Sequence, residues 1–531
     1  MSTWLLPLEA LPAPSTGAAV LVALLVGAAG ALYAYVTRHF DYWRRRGVPF
    51  LRPLPVAGNL KDVLLFRKHV GDVLHEVYTQ MKNQRYLGMY FLDQPVLFVK
   101  DISILKSIFH KDFEYFSDRS FHASRGDILN KESLFGRKGK NWKDLRVKLS
   151  PAFSSGKLKK FFVLLDQKAA NLVTFLEHAV REGRVVDAKE ASGRFTMDAV
   201  STIGFGLEGR SLIDDNDPLY RLLNSIFVFG RLLNILAIGM FVRAPLVEAL
   251  NVSLVPAPLV AFLRPALGNA MEQRRQTGTQ GQRGDFLDLL MELRDKGRIA
   301  ADDEGDAKPA PDTGAAVSMG GDTLISQSFT FLSAGFDTTS TTMSFALYHL
   351  AKNEAIQDKL RAQLKKVQKE HNGKLTYEAL QNVPYLDMII SETLRMYPVL
   401  PFLDRSCTKD YQVQGTDLVI EKGTVIFTSL YGIQRDPELY PNPDCFDPER
   451  FSEANKHSIR SGAYMPFGEG PRMCIGMRLG LLQTKVGLAH IILNFKVSPC
   501  AATPEKMSYD LKSVLILPRD GVPLNFCRVQ E

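Results

Sequence analysis

An unbroken apolar run, residues 17–36, holds twenty consecutive positions without a charge or an amide. That length crosses a bilayer core as a helix and exceeds a typical cleavable signal core. No Lys or Arg precedes it, whereas Arg38, Arg44, Arg45 and Arg46 follow, which places the downstream side in the cytosol. Tyr33, Tyr35, Tyr42 and Trp43 are expected to form an interfacial belt. Residues 86–99 read as two short strands around a turn. From about Lys131 helical patterns dominate, and strand signals return near 413–427 and 515–526. Helices are predicted over 383–397 and 477–494. A long apolar helix is predicted over 325–350, broken at 334–339. Residues 297–321, rich in Gly, Pro, Ala and Asp, read as a mobile surface loop. Residues 220–266 are strongly apolar and proline-interrupted. Half of them read as core helix, while 235–242 and 252–262 are expected to expose a patch that dips into lipid. The fold class is mainly α with small β-sheets, in one large unit.

Composition narrows this further. Hydrophobic content of 46% and aromatic content of 10% suffice for a large core. The five cysteines, Cys407, Cys445, Cys474, Cys500 and Cys527, are scattered and form no C-x-x-C pair, which excludes a disulfide framework and a zinc site built on such a pair. A net charge of +8 suits an anionic membrane surface or an acidic protein. Nucleic acid is not expected, because no arginine-rich tail or recognition motif accompanies the charge.

The chemistry concentrates at Phe467-Gly468-Glu469-Gly470-Pro471-Arg472-Met473-Cys474-Ile475-Gly476. Its glycines permit conformations closed to other residues and a close approach to something flat. Cys474 lies just ahead of a helix whose first N–H groups favour the thiolate. A thiolate in such a loop is a metal ligand or a nucleophile, although a lone cysteine is also a small buried hydrophobe. At Ala334-Gly335-Phe336-Asp337-Thr338-Thr339, glycine and hydroxyls inside an apolar helix open a notch; the competing reading is a helix cap. Glu392 and Arg395 stand three apart on one helix, which in isolation reads as a surface ion pair, and Arg450 follows among aromatics. Trp142 and Arg146 sit one helical turn apart in a basic segment with Arg137, Lys138, Lys140 and Lys148.

W-x-x-x-R, A-G-x-D-T-T, E-x-x-R, P-E-R-F and the cysteine loop, in that order, resemble the cytochrome P-450 family from the anchor to near the C-terminus. The resemblance is closest to animal microsomal members of the xenobiotic-metabolising type, insect members included. It implies the cytochrome P-450 fold behind one N-terminal transmembrane helix: a lumenal segment 1–16, a signal anchor 17–36, a basic proline-rich linker 37–56 and a haem-thiolate monooxygenase domain 57–531. It places Cys474 as the axial ligand of haem b, in contact with Phe467 and Gly468, with Ala334 and Gly335 on the facing helix. Thr338 takes the place of the threonine that hydrogen-bonds bound dioxygen, and Asp337 that of the acid in the proton relay. Trp142, Arg146, Arg405 and Arg472 match the propionate contacts. Glu392, Arg395 and Arg450 match a buried structural triad. Phe121, Ile128, Phe229, Phe331, Leu400, Phe402 and Val514 match the substrate pocket. Gly480 departs from the alanine usual in the family, so a small packing change is expected there.

The implied activity inserts one oxygen atom of O2 into a lipophilic small molecule such as a xenobiotic, plant toxin, insecticide, steroid or terpenoid. Electrons come from NADPH through NADPH-cytochrome P-450 reductase, with cytochrome b5 admitted as a second donor. The setting is the endoplasmic reticulum membrane, with the catalytic domain in the cytosol. Two rivals stay open at this point: a haem-thiolate isomerase or dehydratase needing no O2, and a membrane-anchored haem carrier or sensor without need of Asp337 and Thr338.

Overall fold

The computed structural model describes residues 16–224, 226–228, 230–279, 281–300 and 319–530. Most of the loop expected at 297–321, residues 1–15 of the segment expected to be lumenal, and Phe229 lie outside the described residues. The longer helices are α1 (Thr16–Thr37), α2 (Val70–Gln80), α3 (Gly139–Leu149), α4 (Ser155–Arg181), α5 (Ala188–Phe205) and α6 (Arg231–Val242). They continue with α7 (Ala257–Gln276), α8 (Phe286–Lys296), α9 (Gly321–Lys352), α10 (Glu354–Glu370), α11 (Pro384–Met396) and α12 (Met477–Asn494). Their ends carry the expected capping chemistry. Ser154, Asp187 and Asp285 accept N–H bonds at the starts of α4, α5 and α8, and Gly206 closes α5 in the left-handed region.

The strands are β1 (Tyr86–Phe91), β2 (Gln94–Val99), β3 (Val186–Asp187), β4 (Phe402–Ser406), β5 (Tyr411–Gln412), β6 (Val419–Ile420), β7 (Val425–Ser429), β8 (Phe495–Pro499) and β9 (Pro523–Arg528). They form a four-stranded sheet ordered β1-β2-β7-β4, a three-stranded sheet β3-β9-β8 and the ribbon β5-β6. In the first sheet Val96 pairs with Val425 in parallel, and Arg405 opposes Ile426 in antiparallel register. This register puts Arg405 at the sheet edge that faces the cysteine loop.

The core is built around α9, which is buried over most of its length. A Cβ on its Gly335 would lie 3.1 Å from Val200 of α5, and the ring of Phe331 closes to 3.1 Å of the corresponding position at Gly204. α12 crosses the opposite side, where a Cβ on Gly480 would sit 3.8 Å from Thr339 Oγ1. Close helix approach at small residues thus fixes α9 from two sides.

Three expectations need correction. α9 runs unbroken through 334–339, so Asp337 and Thr338 are mid-helix and cap nothing. Instead Thr338 Oγ1 donates to Ala334 O at 2.6 Å, and Thr330, Ser333 and Thr342 bond in the same i−4 manner. Hydroxyls absorbed this way leave the helix intact. Trp43 does not join an interfacial belt. It is 2% exposed, donates Nε1–H to Met89 O at 3.0 Å, and fills the space over Gly88. Tyr42 is only partly accessible and bonds Glu421, while Tyr33 and Tyr35 do stand exposed on α1. In 252–262, Val252 and Val255 ahead of α7 and Leu259 on it are buried rather than exposed. Among the described residues, the exposed large apolar side chains of the region are Ile235, Leu246 and Leu250.

Candidate active site

Positive φ at Gly468 (75°) and Gly470 (72°) shapes the cysteine loop. Only glycine takes this region without strain. A Cβ on Gly470 would also overlap the carbonyl oxygen of Phe109, so the loop is pressed against residues 107–111. Within the loop Gly468 N donates to Met465 O and Cys474 N donates to Phe467 O, both at 2.9 Å. The result is a turn that carries Cys474 to the start of α12.

Cys474 has accessible surface, yet burial is the largest influence on its thiol. Ala334 is likewise accessible in the middle of a helix whose neighbours are buried. Accessible surface deep in a core means internal cavity space, found at Cys474 and again on the α9 face of Ala334, Gly335 and Thr338. Burial raises the thiol pKa, while the Gly476 N–H and the charges of Arg146 and Arg119 pull it down. The helix-start donor expected to favour the thiolate is present, but burial outweighs it. A cation at the sulfur would reverse the balance.

Arginines gather near the cysteine loop. Arg472 is 4% exposed, lies 3.9 Å above the Trp142 ring, and donates Nε–H to Ser117 O. Arg405 is 1% exposed, lies over Phe109, and donates Nη1–H to Asp404 O. Arg146 donates to Met473 O at 2.9 Å. Arg119, which the sequence motifs do not single out, approaches Asp404 at 3.4 Å. Burial and mutual repulsion push Arg405 and Arg472 down to about 9. Arg405 Nε and Arg472 Nη1 have no partner among the described residues. Buried guanidinium donors left over in this number call for a bound anion. The two propionates of haem fit them, with Cys474 to hold the iron.

Behind the loop, Glu392 and Arg395 are both fully buried. Arg395 donates to both carboxylate oxygens at 2.7 and 2.9 Å, and Arg450 approaches at 3.4 Å. The surface ion-pair reading is therefore excluded. Arg395 Nη1 also donates to Gln434 O, and Gln434 Oε1 accepts the N–H of Met465 at 3.1 Å. Gln434, invisible as a motif, thus ties the charge cluster to the cysteine loop.

Asp337 turns away from the cavity. Its Oδ1 accepts from Lys189 Nζ at 2.5 Å, and the same ammonium donates to Ser340 Oγ at 2.7 Å. Asp337 and Thr338 are adjacent in sequence but face different sides of α9. Among the expected pocket residues, Phe121 and Phe402 are linked through Phe241 at ring distances of 5.5 and 5.9 Å. Leu400 and Val514 pack on one small cluster with Val399 and Leu515. Ile128 and Phe331 do not join them, both packing on the main helical core. Phe331 stacks on Phe286 of α8 at 4.4 Å.

The family model for cytochrome P450 matches residues 48–526. The chain is 39% identical to cytochrome P450 6k1 of Blattella germanica over 515 residues, covering 96% of this chain and 97% of that one. It is 38% identical to cytochrome P450 6j1 of the same organism, over 96% and 97% of the two chains. It is 37% identical to cytochrome P450 6a2 of Drosophila melanogaster, covering 96% of this chain and all of the relative. A cysteine loop held open by two left-handed glycines, arginines with donors to spare and full-length likeness to these proteins lead to one conclusion: the chain belongs to the cytochrome P450 family, the haem-thiolate monooxygenases.

Proposed function

We propose that the protein inserts one oxygen atom of O2 into a lipophilic small molecule, using haem b and electrons delivered from NADPH by a membrane flavoprotein reductase. The observations that support this reading are accessible surface inside the core at Cys474 and on the Thr338 face of α9, and buried arginine donors with no partner among the described residues. When bound, haem supplies oxygen activation and the redox chemistry. The chain's part is to hold it: Cys474 Sγ at the iron, and Arg146, Arg405, Arg472 and Trp142 at the carboxylates. Thr338 presents its hydroxyl at the cavity wall, where it keeps a proton donor in place. Asp337, held by Lys189, exchanges protons with that hydroxyl only after the ion pair loosens. Phe121, Phe402, Leu400 and Val514 supply an apolar surface that suits a xenobiotic, steroid or terpenoid and excludes water. The lysines and arginines of α3 suit an acidic electron donor, reductase first and cytochrome b5 second, raising the on-rate more than the affinity. α1 holds the enzyme in the endoplasmic reticulum membrane with the catalytic domain in the cytosol.

The test is a reconstituted system in which NADPH use, peroxide and oxidised product are measured together. Cys474→Ala should lose the thiolate-specific absorbance of the reduced carbon monoxide complex. Thr338→Ala should keep that absorbance and continue to consume NADPH, with product falling and peroxide rising. Retention of the band by the Cys474 variant would end the reading. An isomerase or a carrier would turn over no NADPH with any substrate.

A further inference from the structure

Three parts of the chain distant in sequence meet at the tip of the β1–β2 hairpin. Asp93 occupies that tip and is 4% exposed. Its Oδ2 lies 3.5 Å from Arg38 Nη2, just past the end of α1. The same oxygen lies 3.1 Å from Arg243 Nη2, at the junction between α6 and the short helix Ala244–Ala249. The ring of Tyr35, on the last turn of α1, lies 3.9 Å from the Arg38 guanidinium and 5.8 Å from that of Arg243. One carboxylate therefore serves two guanidinium groups from two separate segments, and a tyrosine of the apolar helix packs between them.

The surroundings indicate what this junction faces. α1 is exposed along its apolar length. Leu54 and Val56 of the linker are exposed, and the backbone of Gly58 bridges to Phe91 at the hairpin tip. On the other side Ile235, Leu246 and Leu250 are exposed, while Ile238, Phe241 and Val242 pack against the core that includes the hairpin. The polar junction is thus bordered by apolar residues continuous with a helix long enough to span a bilayer. Two arginines and two tyrosines at the foot of such a helix match the headgroup layer, where a partly desolvated ion pair gains strength.

We propose that Asp93 is an ionic clamp joining the anchor helix to the α6 segment, so that linker, anchor and α6 form one lipid-facing unit and the catalytic domain meets the bilayer in a single orientation. The partner is the lipid bilayer itself. The inference rests on the membrane anchorage proposed above and adds that the anchor is held rigidly to the domain. Removing the carboxylate leaves Arg38 and Arg243 unpaired and close together. Their repulsion opens the junction while the anchor remains inserted.

The experiment uses the full chain with haem bound, reconstituted in phosphatidylcholine vesicles. Exposed Cys445 and Cys527 are replaced by serine, and a fluorophore is placed at Leu250→Cys. Quenching by lipid carrying bromine in its acyl chains reports contact of residue 250 with the bilayer. The native Asp93 background should be quenched. Asp93→Asn should lose most of the quenching yet stay in the vesicles after a high-salt wash, and Asp93→Glu should recover part of it. Equal quenching with Asn and Asp overturns the clamp and leaves membrane contact by this surface standing. A lowered melting temperature with unchanged quenching assigns Asp93 a purely structural role and overturns the clamp too. No quenching in the native background overturns the lipid-facing surface itself.

Discussion

Substituting alanine at Gly470 and, separately, at Gly468 tests how the cysteine loop is held. Both glycines have positive φ, 72° and 75°. Alanine pays about 1–2 kcal/mol in that region, offset in part by a stiffer unfolded chain. At Gly468 little else happens, because the new Cβ would meet Leu403 Cδ2 at 3.7 Å and Met473 Cα at 3.8 Å, ordinary contacts. Gly468→Ala should therefore cost about 1 kcal/mol. At Gly470 the same methyl overlaps Phe109 O and would stand only 2.9 Å from its carbonyl carbon. Backbone cannot rotate aside as a side-chain tip does, so either the loop or residues 107–111 must move. Overpacking of this kind adds about 1–3 kcal/mol, for a total near 2–4 kcal/mol. That is a large share of a typical domain's stability of about 5–15 kcal/mol. The shift also reaches function, since Phe109 lies under Arg405 and the loop carries Arg472 and Cys474. Urea midpoints give the two stability changes, and haem bound per chain gives the functional one. Gly470→Ala should be the less stable and should bind less haem than Gly468→Ala. Equal stability within about 0.5 kcal/mol would refute the packing account.

Lys189→Met strands the buried Asp337 carboxylate and should destabilise by about 3–5 kcal/mol, with Asp337→Asn in the same chain recovering a good part; additive effects in a double-mutant cycle would rule out the pair. Gly480→Ala should stabilise by up to about 1 kcal/mol in thermal melts, because a helical glycine is replaced where the Cβ meets nothing closer than 3.8 Å. His69 is buried, with Nδ1 accepting from Gly71 N and Nε2–H donating to Leu515 O, and burial lowers its pKa from 6.5 to about 4. The unfolded chain takes the proton more readily, so this contribution is intact above pH 6.5. It falls as pH drops from 6.5 to 4 by a total of about 3 kcal/mol, then levels off. Urea midpoints across that range should flatten in His69→Gln.

What the sequence made legible was local. The cysteine loop, the helix carrying Glu392 and Arg395, and α12 each announce themselves within a short window, because their turns and periodicity are set by neighbouring residues. Contacts between distant residues stayed hidden. Lys189 lies 148 positions from Asp337, and nothing in the flanking residues distinguishes it from a solvated lysine. Trp43 looked interfacial because it follows an apolar span, but the bare backbone of Gly88 offered it a deeper site. The break expected in α9 failed for a different reason. The hydroxyls that suggested it are satisfied by their own helix, so glycine and threonine there mark contact with α5 and the cavity rather than an end. The exposed patch moved from 252–262 to Leu246 and Leu250 because periodicity gives a stripe without saying which way it faces.

The hydrogen-bond chain from Glu392 through Arg395 and Gln434 to Met465 runs behind the cysteine loop, and Phe121, Leu400, Phe402 and Val514 take no part in it. In the proposed function, holding the metal and choosing the guest are therefore inherited separately. A duplicated gene can vary those four side chains through many generations while the machinery behind the loop is passed on intact. That freedom follows from which residues share a hydrogen bond.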